Sequence, residues 1–124
     1  MSGLPAIIGR GGEDIATEWL RERGYYIVER NWRIGHYEID IIAQKGRYIV
    51  FVEVKSRKEE YTETYGRPAT AVNYTKREHI RYAMKNYILR NNIKHIPRID
   101  VIEVYLSEKG HRIEHIKNAF GAQG

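Results

Sequence analysis

Acidic side chains stand inside two stretches of the sequence that are otherwise apolar. Glu38 and Asp40 lead into Ile-Ile-Ala, and Glu53 and Lys55 follow Val-Phe-Val. Burying an unpaired carboxylate costs free energy, so such charges indicate a compensating partner or a function. Carboxylate oxygens suit Mg²⁺ or Mn²⁺, and such an ion polarises a phosphate and activates water. The pattern therefore predicts a metal site for phosphodiester hydrolysis, where Lys55 orients the water or offsets negative charge in the transition state.

The two acidic stretches have the alternation expected of a β-hairpin. We predict strands at Glu38–Ala43 and Arg47–Lys55, joined by a short turn containing Lys45-Gly46. Pairing Gln44 with Arg47 sets the register. A four-residue turn would keep the same side chains on each face, whereas a three-residue turn would not.

In this register Asp40 faces Phe51 and Glu38 faces Glu53. Side chains alternate along a strand, so Glu38, Asp40, Glu53 and Lys55 share one face at one end of the hairpin. Like charges directly opposite each other are destabilising, and a divalent cation would remove that repulsion. The other face is predicted to be core: Ile39, Ile41, Ala43, Tyr48, Val50, Val52 and Val54.

The elements around the hairpin predict an α/β fold in the order α-β-β-β-α-β-β. It is a mixed sheet of about five strands with a helix on each face. The second helix begins at a cap provided by Asn73 or Thr75. The other predicted elements are a first helix at Glu13–Arg23, strands at Tyr25–Val28, Ile99–Leu106 and Arg112–Ile116, and an end of the second helix at about Arg90.

We expect a single domain over residues 1–124. Within it, residues 1–12 are predicted to be a flexible N-terminal segment, residues 56–70 an exposed mobile loop and residues 118–124 a frayed tail. A chain of 124 residues with 42% hydrophobic and 30% charged residues is typical of a globular protein.

Composition also limits the chemistry and the partners. The sequence has no cysteine, which excludes disulfides, thiolate catalysis and Cys-ligated metal sites. The 21 Lys and Arg against 16 Asp and Glu give a net charge of +5, which favours DNA or RNA ahead of an anionic membrane surface. No apolar run is long enough to cross a bilayer and the start lacks a secretory signal, so we expect a cytoplasmic protein without membrane partners.

Three motifs in order carry a resemblance to a known family: GRGGE at 9–13, EIDIIA at 38–43 and VFVEVKSR at 50–57. With Asp40 and Glu-Val-Lys, the chain resembles the PD-(D/E)XK nuclease superfamily, although Ile39 replaces the proline of that name. With Ala71-Val72 and Lys76 downstream, it closely resembles the bacterial YraN-type family of predicted endonucleases, which is similar to archaeal Holliday junction resolvases. One departure is Tyr37, where relatives often have glycine.

The resemblance implies a restriction-endonuclease-like fold and a Mg²⁺- or Mn²⁺-dependent endonuclease acting on DNA, including branched DNA such as Holliday junctions. It adds Glu13 to the acidic residues, so that Glu13, Asp40, Glu53 and Lys55 are catalytic and the three carboxylates bind the metal. It also implies a homodimer, since related resolvases act as symmetric pairs.

Each of these residues also has a structural interpretation. Glu13 could be an acid favoured by the helix dipole, and Asp40 and Glu53 could form a salt-bridge network with Lys55. Arg10, Arg57, Arg67 and Lys76 are candidate contacts to nucleic acid, although exposed basic residues are usually only solvated. Two other functions therefore stay open: a nucleic-acid-binding protein that has lost efficient cleavage, and a metal-dependent RNase.

Overall fold

The computed structural model describes residues 11–58 and 72–122. Within these residues the predicted order α-β-β-β-α-β-β is confirmed. The strands are longer than predicted, because apolar alternation marks only their buried parts. The elements are α1 (Gly12–Glu22), β1 (Tyr26–Ile34), β2 (Tyr37–Lys45), β3 (Tyr48–Lys58), α2 (Tyr74–Arg90), β4 (Ile96–Ser107) and β5 (Gly110–Ile116).

The described strands form one sheet in the order β1-β2-β3-β4-β5. Neighbouring strands are antiparallel, except that β3 and β4 are parallel along their whole length. A parallel pair needs a long crossover connection, and α2 lies in that connection. The topology therefore places β3, which carries Glu53 and Lys55, at the centre of the sheet.

One helix covers each face of the sheet, as predicted. Leu20 of α1 is fully buried in a cluster with Ile41 and Val52. On the other face, Met84 of α2 packs in a cluster with Phe51. Burial of these apolar stripes is what holds the two helices against the sheet.

The N-terminus of each helix is fixed locally. Asn73, rather than Thr75, caps α2, because its side-chain oxygen accepts a hydrogen bond of 2.9 Å from the Lys76 N–H. Gly12 begins α1 and is buried, so the predicted flexible segment 1–12 is wrong at this residue. A Cβ on Gly12 would overlap Ser56 Oγ, so glycine allows α1 to approach β3 closely. Residues 1–10 lie outside the described residues.

The predicted register of the β2–β3 hairpin is wrong by two residues. Lys45 pairs with Tyr48, so the turn is Gly46-Arg47 rather than Lys45-Gly46. Gly46 has a φ of +57°, and glycine takes this conformation readily at the first central position of a two-residue hairpin turn. Because the shift is even, it keeps the paired residues on their predicted faces, with Ile41 and Val52 beneath α1 and Ile42 and Phe51 beneath α2.

Two residues predicted to share a core face do not do so. Ile39 is buried in the cluster beneath α2, whereas Ile41 is buried beneath α1. The change of side coincides with Asn31 on the neighbouring strand, which has a left-handed φ of +53° between the paired positions Arg30–Ile41 and Trp32–Ile39. Tyr48 is half exposed because it lies at the end of the sheet beside the turn.

The loop predicted at 56–70 and the tail predicted at 118–124 begin later than expected. Residues 56–58 continue β3, and residues 59–71 lie outside the described residues. Phe120 is buried in the cluster beneath α2, and Arg81 Nε donates a 2.7 Å hydrogen bond to the Gly121 carbonyl. Arg81 therefore anchors this segment, which is not frayed up to residue 122.

We predict that Phe120→Ala lowers the free energy of unfolding by about 3 kcal/mol, because it removes a buried ring and leaves a cavity. Leu89→Ala is the control, since Leu89 is 80% exposed and its truncation should cost little. Denaturant unfolding of both variants measures the difference. Equal stabilities would mean that the C-terminal segment does not pack as the structure shows.

Candidate active site

The site forms where β2 and β3 separate. Their ladder runs from Lys45–Tyr48 to Ile41–Val52. Beyond that point β2 continues paired with β1, and β3 continues paired with β4. Asp40 and Glu53 are the first residues of each strand past the last pair. The divergence therefore opens a gap in the sheet with a carboxylate on either side.

Asp40 is fixed in this gap by the backbone of β3. Its Oδ2 accepts a hydrogen bond of 2.8 Å from the Val54 N–H, a donor that the diverging strand β2 no longer satisfies. Burial, the charge of Glu53 and, to a smaller extent, that of Glu13 raise the pKa of Asp40 to about 8, against the lowering effect of the Val54 bond. The Asp40 and Glu53 carboxyl groups are close enough to interact directly, and this interaction adds to the raised pKa of Asp40.

Glu53 is the more buried of the two acids and is approached by two ammonium groups. Its side chain is 5% exposed, and its Oε2 lies 3.5 Å from Lys55 Nζ and 3.6 Å from Lys76 Nζ. Lys55 follows on the same strand, whereas Lys76 comes from the first turn of α2. The candidate DNA contact Lys76 thus lies against the acidic pair rather than on an isolated helix face.

Glu13 reaches the site from the opposite helix but is engaged elsewhere. It lies 3.7 Å from Arg30 of β1, which also pairs with Asp14 at 2.8 Å. Its charge still contributes to the raised pKa of Asp40. Among residues 11–58 and 72–122, no three His, Cys, Asp or Glu side chains are arranged as a metal-binding group. The structure therefore brings together Asp40, Glu53 and Lys55, with Glu13 near but paired to Arg30.

The remaining predicted site residues are placed apart from this pair or are not described. Glu38 pairs with Arg33 at 2.8 Å. Arg57 lies on β3, two positions beyond Lys55, with Tyr105 as its neighbour in the β4 register. Arg10 and Arg67 lie outside the described residues, so their predicted contacts to nucleic acid stay predictions.

Two buried acids of β4 were missed from the sequence. Glu103 is adjacent to Lys55 in the β3–β4 register, and it is fully buried, as is Asp100. Glu103 accepts a hydrogen bond of 2.9 Å from the Tyr105 hydroxyl. The signal that singled out Glu53, an acid within an apolar strand, is present at both positions. Their location beside β3, however, depends on the parallel pairing.

The donor set fits a hard divalent cation in part. Beside such a cation both carboxyl groups would be ionised, and their mutual repulsion would be replaced by attraction to the cation. Mg²⁺ commonly binds through one or two carboxylates and keeps several waters, so a third carboxylate is not required. Asp40 and Glu53 are the residues that would hold the ion.

The chain is similar in sequence to a family of known proteins over most of its length. The sequence model of "Uncharacterised protein family UPF0102" matches residues 12–104. A UPF0102 protein of Dehalococcoides mccartyi is 40% identical over 116 residues, covering 93% of each chain. A UPF0102 protein of Clostridioides difficile is 46% identical over 113 residues, covering 90% of this chain and 95% of its own.

No helix among the described residues has the length and apolar character needed to traverse a lipid bilayer. Both helices carry charged residues along an exposed face.

We predict a pH dependence of stability in metal-free solution. The folded protein holds the Asp40 proton more tightly than the unfolded chain, since the pKa is raised from 3.8 to about 8. The free energy of unfolding should therefore fall as the pH rises between these values, with a slope of up to about 1.4 kcal/mol per pH unit, and level off above them. Denaturant unfolding in EDTA across this range measures the slope.

Asp40→Asn should flatten this dependence, because asparagine keeps an acceptor for the Val54 N–H and cannot ionise. Glu38→Gln is the matched control and should keep the wild-type slope, since Glu38 is paired at the surface. A wild-type slope in Asp40→Asn would contradict the assignment of the raised pKa to Asp40.

Proposed function

The chain belongs to the UPF0102 family, and for this member we propose a metal-dependent endonuclease that hydrolyses phosphodiester bonds in DNA. The observation that carries the proposal is the pairing of Asp40 with Glu53 at the divergence of β2 and β3. Two acids in such contact are unfavourable unless a proton or a cation lies between them. The resemblance to PD-(D/E)XK nucleases in the same residues supports the cation.

Asp40 and Glu53 would bind Mg²⁺ or Mn²⁺ through their carboxylate oxygens. When bound, such an ion polarises the scissile phosphate and lowers the pKa of an attacking water. The Val54 N–H keeps Asp40 in position through its 2.8 Å hydrogen bond. Because this donor belongs to the backbone of a central strand, the carboxylate is held rigidly on the scaffold.

Lys55 and Lys76 supply positive charge beside the acids. Both ammonium groups lie within 3.6 Å of Glu53 Oε2, and both side chains are partly exposed. A phosphate entering the gap would meet them together with the ion. Lys55 orients the water or stabilises the negative charge that builds up on the phosphate during attack. Lys76 acts from the other element, α2, and contributes to substrate binding.

DNA is the proposed substrate for two reasons. The net charge of +5 favours a polyanion, and the nucleases that the chain resembles act on DNA, including branched DNA. A phosphodiester substrate would also explain why lysines, rather than further metal ligands, lie beside the two acids. An RNA substrate of the same form is the control that separates this proposal from a metal-dependent RNase.

A second candidate function is a nucleic-acid-binding protein without efficient cleavage. It is favoured by the ion pair of Glu13 with Arg30, which leaves two acids rather than three at the gap. In that case Asp40 would keep its proton, and binding would depend on salt but not on a divalent cation.

We predict that the protein cleaves supercoiled or branched DNA in Mg²⁺ or Mn²⁺, and that Asp40→Asn and Glu53→Gln each reduce the rate by at least about 100-fold. Lys55→Gln should reduce it by about 100-fold, because one stabilising charge is removed from the transition state. Gel assays give the rates, and titration calorimetry with Mn²⁺ measures metal binding independently of activity.

Glu38→Gln is the matched control, since it removes a carboxylate two residues from Asp40 that is paired with Arg33. It should cleave DNA and bind Mn²⁺ like the wild type. Cleavage that survives in an Asp40→Asn, Glu53→Gln double variant would overturn the proposed site. Salt-sensitive DNA binding with neither cleavage nor Mn²⁺ binding would instead establish the second candidate function.

A further inference from the structure

A second charged region lies at the end of the sheet opposite the acidic pair. An open depression of about 570 Å³ forms beside the β2–β3 turn. Tyr48 at its rim precedes Glu53 by five residues of β3, which corresponds to about 17 Å along the strand. The depression is lined mainly by four cationic and two aromatic side chains: Lys45, Arg47, Arg98, Lys117, Tyr25 and Tyr48.

One of the four cations, Arg98, is neutralised by the buried carboxylate of Asp100. Both Nε and Nη2 of Arg98 donate to the Asp100 carboxylate at 2.9 Å. Burial acts to raise the pKa of Asp100, but hydrogen bonds from His115, Arg98 and the Asn118 N–H outweigh it and lower the pKa. Asp100 is therefore ionised and balances Arg98, which also donates to the Tyr25 hydroxyl at 2.8 Å.

The other three cations have no carboxylate partner among the described residues. Lys45 Nζ donates to the Arg23 carbonyl at 2.6 Å and lies over the Tyr25 ring, so it is positioned without being neutralised. Arg47 and Lys117 are exposed, and none of the residues lining the depression is acidic. Three unneutralised positive charges around one depression attract an anion.

We infer that this depression binds the phosphate backbone of a nucleic acid. Its shape is open and its charges are spread around the rim, which suits an extended polyanion rather than a single enclosed anion. Tyr48 is 37% exposed, with the Arg98 guanidinium 5.2 Å from its ring centre, so the exposed part of the ring offers an aromatic contact to a base or sugar. The inference deepens the proposed function by adding a contact that is separate from the acidic pair.

The depression is far enough from the acidic pair to bind a nucleic acid separately. The depression lies on the α1 side of the sheet, since Arg98 and Asp100 alternate with Ile99 and Val101, which are buried beneath α2. A nucleic acid bound in the depression would be held through a different stretch of its backbone from the stretch that reaches Asp40 and Glu53. Affinity from this contact is therefore independent of metal.

The double variant Arg47→Ala, Lys117→Ala tests the inference. Binding of labelled duplex and single-stranded DNA is measured by fluorescence anisotropy in EDTA over a range of salt concentrations. Removing two phosphate contacts should weaken binding by at least about tenfold and reduce the slope of log K against log salt by about 2. Both residues are exposed, so thermal unfolding should match the wild type and exclude misfolding as the cause.

Lys85→Ala, Lys109→Ala is the matched control, because it removes two exposed lysines from α2 and the β4–β5 turn. It should bind nearly as the wild type does. Equal affinities and slopes in the two double variants would overturn the inference. Competition by inorganic phosphate beyond that of sodium chloride at equal ionic strength would also overturn it, by identifying a small-anion site.

These outcomes are distinguishable from those of the proposed function. Binding that depends on Arg47 and Lys117 without any cleavage would support the depression as a nucleic-acid contact and remove the nuclease proposal. Cleavage with binding that is indifferent to the two residues would overturn the inference and leave the nuclease proposal standing.

Discussion

The repulsion between two carboxylates at the divergence of β2 and β3 is the constraint on which the site depends. Where the strands separate, the Val54 N–H loses its strand partner and Asp40 accepts it instead. That bond holds Asp40 beside Glu53, where burial and the like charge raise the pKa of Asp40, although the bond itself acts to lower it. A backbone requirement thus brings two acids together, and either protonation of Asp40 or a cation must relieve their repulsion.

The two helices complete the site by bringing charges from opposite faces of the sheet. The buried Gly12 allows α1 to start against Ser56, which places Glu13 within electrostatic reach of Asp40. On the other face, the first turn of α2 carries Lys76 to Glu53. Because each contact comes from the N-terminal turn of a helix, local capping and close packing have a direct effect on the charge balance at the gap.

The sheet separates its charges along β3. Acids and neighbouring lysines lie at the end near Lys55, whereas cations surround the open depression at the end near Tyr48. Asp100 balances Arg98 beneath that depression, so the surplus charge belongs to residues at the rim. Among the described residues the charge along the sheet is therefore uneven: the end near Tyr48 is positive, whereas lysines and acids lie together at the end near Lys55.

The sequence by itself determined the elements, their order and the faces of the paired residues of β2 and β3, because side-chain alternation survives an even shift in register. Only the tertiary structure decided the register itself, since Gly46 takes the first central position of the turn. Ile39 changes face beside a left-handed Asn31, which no alternation pattern reveals. Parallel pairing of β3 with β4 and packing of the helices bring together residues that are far apart in the chain. The neighbours of Lys76, Glu103 and Arg98 depend on these long-range contacts.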